Sequence, residues 1–100
     1  MKRHGNSNQN DADHHLYEIY DEERKDNYKY GICGDPLYPD GSSPRANRQV
    51  NFLNGAVGWV RFLVNILLIG IPGRMEAKRL ENEHIAAYRE KNGSKPRGNL

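Results

Sequence analysis

The longest apolar run, Ala56 to Ile71, is interrupted by Arg61 and Asn65. A membrane-spanning helix needs about 18 or more uninterrupted apolar residues, so this stretch is expected to supply the core of a soluble domain. Its even-numbered positions Val60, Phe62, Val64, Ile66 and Leu68 are all apolar, the period-2 pattern of a strand buried on one face. Arg61 and Asn65, four apart, would also form one polar line on a helix. A chain of 100 residues leaves room for one small domain around such a core.

Met1 to residue 14 contains almost nothing large and apolar, so a disordered tail or linker is expected there, with the domain spanning residues 15–100. His4, His14 and His15 lack the spacing of a metal site and are read as ordinary polar side chains. Lys2 and Arg3 are not followed by an apolar core, so no secretory leader is expected. Cys33 is the only cysteine and rules out an internal disulfide. The net charge of +2 conceals an uneven distribution. Residues 16–40 hold seven acids and three bases, a net −4, whereas residues 41–100 hold ten bases and four acids, a net +6. Any contact with a polyanion is therefore expected from the second half.

Leu16 to Tyr20 and Tyr28 to Ile32 are rich in strand formers and flank a polar, turn-competent stretch, which predicts an antiparallel hairpin. Ser42 or Ser43 can cap a helix with Pro44 in its first turn, and Ala46, Val50, Leu53 and Val57 recur at helical spacing from Arg45 to about Asn54. Arg45 and Arg48 lie on the opposite side. A last helix is predicted from Met75 to about Lys91, bounded by Pro72-Gly73 and Gly93. Ala77, Leu80, Ile85 and Tyr88 form its apolar stripe, and Glu81 lies beside that stripe.

The series Ala77-x-x-Leu80-Glu81-x-x-x-Ile85, followed by Pro96-x-x-Asn99, resembles the C-terminal half of the GIY-YIG nuclease domain. Upstream, His15-Leu16-Tyr17 stands where that family carries Gly-Ile-Tyr, and Lys29-Tyr30-Gly31 where it carries Tyr-Ile-Gly. Tyr17 and Gly31 match, while His15 and Lys29 depart. The resemblance implies an α+β fold, a small three-stranded antiparallel sheet flanked by helices, with roughly residues 62–69 as the third strand. It also implies metal-dependent hydrolysis of DNA. Glu81 would hold Mg²⁺ or Mn²⁺, and Tyr17 would orient or deprotonate the attacking water. Lys29 would be the cation that lowers the tyrosine's pKa. Arg48, with Arg45 as second candidate, would grip the phosphate, and Asn99 would close the cleft. Minimal nucleases of this kind are similar to the C-terminal toxin tips of bacterial secretion effectors. An antibacterial DNase is therefore expected, injected into the cytoplasm of a target bacterial cell and neutralised by a cognate immunity protein, with no membrane insertion and no small-molecule cofactor. Cleavage of RNA, or a binding module of the same fold without chemistry, remain the alternatives. Asn99 so near the last residue suggests that Leu100 is the natural terminus.

Overall fold

The computed structural model describes residues 12–99. The expected tail up to residue 11, including His4, and the expectation for Leu100 lie outside them. The elements run β1 (Asp13–Asp21), β2 (Asp26–Cys33), α1 (Pro44–Val57), β3 (Phe62–Pro72) and α2 (Gly73–Asn92). The strands form one antiparallel sheet in the order β2-β1-β3, so β1 is central. This is the α+β architecture that the resemblance implied. β1 starts at Asp13, so Asp13 and His14 belong to the sheet and not to a tail.

Alternation along β1 assigns its side chains to two faces. Tyr17 and Ile19 pack with Cys33, Phe62 and the α1 residues Ala46 and Val50. Leu16 packs with Ile32, Ile71 and the α2 residue Ala77, against which Leu67 and Leu80 also lie. One helix thus covers each face. The even-numbered pattern of β3 holds for Phe62, Val64 and Ile66, which join the α1-side core. It does not extend to Leu68, which is half-exposed, or to Val60, which is exposed and precedes the strand. The reason is an irregularity in register: Tyr17 pairs with Ile66 but Leu16 with Leu68, leaving Leu67 as an extra residue. Such a bulge reverses the face on which the following side chains fall.

Local chemistry explains the ends of the elements. Ser43 caps α1, its hydroxyl oxygen accepting from the Ala46 N–H, and Pro44 follows in the first turn. Buried His15 hydrogen-bonds the same Ser43 Oγ through Nε2 at 2.7 Å. Burial lowers the His15 pKa, with His14 adding to the effect, so the ring is neutral at pH 7. The β1–β2 turn is held by Asp21 Oδ1, which accepts from the N–H groups of Glu23 and Arg24.

The segment 96–99 closes the free side of β2. The Gly98 N–H donates to the Tyr28 carbonyl, and the Asn99 side-chain amide both donates to and accepts from the Tyr30 backbone at 2.8 Å each. The approach is so close that a Cβ on Gly98 would fall 2.6 Å from the Tyr28 ring and 2.9 Å from Lys29 Cβ. Pro96, the first residue of this strap, is fully buried.

Candidate active site

A cleft of about 490 Å³ opens around β2 and draws on every part of the fold except β3. Tyr17 reaches it from β1, Lys29 and Gly31 from β2, Arg45 and Gln49 from α1. Arg74, Lys78 and Glu81 come from α2, and Lys95 and Asn99 from beyond that helix. Five cationic side chains therefore face one carboxylate among the described residues lining it.

The position of Tyr17 follows from its cross-strand neighbour. Tyr17 pairs with Gly31, and the phenol lies over the glycine so closely that a Cβ would sit 2.4 Å from both Cζ and the hydroxyl oxygen. Any side chain at residue 31 would push the ring away. The phenol donates to Gln49 Oε1 at 2.7 Å. Its pKa does not follow the expected depression: burial pushes it up to about 12. The cation opposing that rise is Arg45, not Lys29, and Gln49 as acceptor opposes it more weakly, while Glu81 adds to it. Lys29 is itself lowered by burial and by Arg45, with Glu81 acting the other way.

Glu81 is carried one helical turn beyond fully buried Ala77, which sets α2 against the sheet, so its side chain is only 8% exposed. Its Oε1 accepts from Lys78 Nζ at 2.6 Å, and that lysine is 48% exposed along its side chain. Asn99 lines the cleft as expected, but its amide is committed to the Tyr30 backbone, so it holds the wall and does not reach inward.

The two candidate arginines separate. Arg45 lines the cleft with Tyr17 and Glu81, and its Nη1 donates to the Ile32 carbonyl at 3.2 Å. Arg48, the favoured candidate from the sequence, lines an adjoining cavity instead. Gln49, Arg74, Lys78 and Lys95 also line the cleft and escaped sequence reasoning. Gln49 gives no signal beyond its place one turn from Arg45. Arg74 was concealed by the Pro72-Gly73 breaker, yet α2 begins at Gly73, and the buried Nε of Arg74 has no hydrogen-bond acceptor among the described residues.

A family model described as URI fold toxin 2 matches residues 7–93, most of the chain. The chain belongs to this toxin family. No match is found among curated proteins or solved structures. The matched span of the toxin domain contains Tyr17, Lys29, Arg45, Arg48 and Glu81 but stops before the strap that carries Asn99. No helix among the described residues is long and apolar enough to cross a membrane.

The donor set tests whether a metal suits this site. Among the described residues no three His, Cys, Asp or Glu side chains gather, so Glu81 would act as the lone protein carboxylate. A small hard cation that keeps several waters and takes substrate phosphate oxygens needs only one or two carboxylates. Glu81 fits that role provided Lys78, free to swing toward solvent, gives up its ion pair.

Proposed function

We propose that this toxin domain is a metal-dependent endonuclease of the GIY-YIG type that hydrolyses DNA phosphodiester bonds with Mg²⁺ or Mn²⁺. The observation that carries the reading is the convergence of Tyr17, Arg45 and Glu81 on one strongly cationic cleft. A divalent ion held by Glu81 would neutralise charge on the leaving oxygen. Arg45, fixed at the β2 edge through Ile32, and Arg74, with its unused Nε, supply donors for the non-bridging phosphate oxygens. Tyr17 keeps its proton at neutral pH and gives it to Gln49, so its oxygen lone pairs remain to accept a hydrogen bond from water. In this reading the phenol orients the nucleophile, and its phenolate fraction, which grows with pH, takes the water's proton as the water oxygen bonds to phosphorus. The bond to the leaving sugar oxygen breaks and that oxygen takes a proton from solvent. Lys29 and Lys95 add positive potential along the strand's path.

Membership of a toxin family supports delivery into the cytoplasm of a competing bacterial cell and neutralisation in the producer by a cognate immunity protein. Supercoiled plasmid incubated with the protein and Mg²⁺ is expected to be nicked and linearised. EDTA should abolish cutting, and Glu81→Gln should slow it by about 100-fold or more, as loss of a key electrostatic stabiliser does. Intact plasmid under every condition would refute the proposal, and RNA offered in the same assay separates the two nucleic acids.

A further inference from the structure

A second cavity, of about 340 Å³, adjoins the first and shares Lys29, Arg45, Gln49 and Gly98 with it. Ile19 and Leu53 give it apolar walls, and Arg48 and Phe52 line it from α1. Phe52 is 77% exposed, the most exposed of the large apolar side chains among the described residues. Arg45, Gln49 and Phe52 recur at i, i+4 and i+7, so one face of α1 runs from the first cavity into the second over roughly 10 Å at the usual helical rise. No acidic side chain lines the second cavity among the described residues.

Apolar walls, an open aromatic ring and flanking cations together complement a nucleotide, which offers a flat apolar base beside an anionic linkage. Bases inside a duplex have both faces covered by their neighbours, so only an unpaired or flipped-out base can present a face to Phe52. We propose that the second cavity is a subsite for one unpaired nucleotide of the DNA strand next to the phosphate being cut, its base stacked on Phe52 and its phosphate paired with Arg48. The assignment rests on the phosphodiester reading of the first cleft and adds a substrate class to it: single-stranded or locally melted DNA.

The test uses a DNA oligonucleotide carrying one 2-aminopurine, a base whose fluorescence is quenched by stacking, titrated into the protein in EDTA. Quenching on binding is expected, with affinity falling about tenfold in Phe52→Ala, as for loss of one base–aromatic stack. Phe52→Tyr should retain the quenching, and Arg48→Gln should weaken binding while leaving the bound probe quenched. Phe52 is solvent-exposed, so these substitutions leave the core untouched. Equal quenching and affinity in Phe52→Ala overturn the subsite, as does binding of a fully paired duplex as tightly as the single strand. The same proteins are then given Mg²⁺ and unlabelled plasmid. Quenching that depends on Phe52 in a protein that cuts nothing supports the subsite and sinks hydrolysis, whereas cutting by a protein whose binding ignores Phe52 does the reverse.

Discussion

At the scale of single residues, the phenol of Tyr17 is the most constrained group in the cleft. Gly31 lies directly beneath the ring, Gln49 accepts from its hydroxyl, and burial favours the protonated form. With a pKa of about 12, the phenolate population rises tenfold with each pH unit from neutrality upward. The cleavage rate is therefore expected to climb across pH 7–10 without a plateau, and Tyr17→Phe should both flatten that profile and lower the rate by about 100-fold, the lower range for a general base. Initial rates measured over this range decide it; a profile identical in both proteins would remove Tyr17 from the chemistry. That Tyr17 and Glu81 would face one cleft was anticipated through the resemblance of their segments to GIY-YIG motifs; the strand pattern and the apolar stripe alone place each only within its element. The choice between Arg45 and Arg48 was not legible in the sequence. Both are on the polar side of α1, and what separates them is the Ile32 carbonyl on β2, a neighbour that no periodicity in α1 reveals.

At the scale of elements, α1 owes its position to its first turn. Ser43 joins the Ala46 N–H to the buried ring of His15, so the cap also ties the helix to the central strand. Ser43→Ala is expected to cost about 2 kcal/mol, the upper range for a cap, because a buried histidine nitrogen loses its partner as well. Urea unfolding would measure this, and a change below about 0.5 kcal/mol would show that the tie carries no weight. The departure of His15 from the Gly-Ile-Tyr pattern thus has a structural use. The hairpin and a third antiparallel strand were anticipated, but the bulge beside Leu67 was not, since the apolar run continues through it unbroken and either face of the sheet accepts a leucine. The start of α2 was misjudged for a related reason: Gly73 reads as a breaker, yet it is the first helical residue.

At the scale of the whole molecule, Asp21 joins parts that are far apart in the sequence. It is fully buried; Arg61 grips it through two bonds of 2.8 Å, Arg97 adds one of 2.6 Å, and the hairpin turn adds two backbone donors. These bonds, Arg61 foremost, hold its carboxyl far below the usual range. A carboxylate lowered in the fold stabilises it above the unfolded pKa of about 3.9, and that contribution is lost as pH falls further. Thermal stability should hold from neutrality to about pH 4 and decline below it, and Asp21→Ala should remove about 3 kcal/mol, the low end for a broken buried pair, because Arg61 and Arg97 can turn toward water. Calorimetry across pH checks both, and an equal acid decline in the variant would assign it to other groups. Asp21 gave no sign of this in the sequence, where it opens a run of solvated charges. The strap that Arg97 anchors carries a consequence for synthesis. Residues 96–99 leave the ribosome after every other described part of the domain, so a nascent polypeptide lacks one wall of the cleft until translation has passed them. A toxin built in this order cannot assemble its groove while its own message is still being read through those codons.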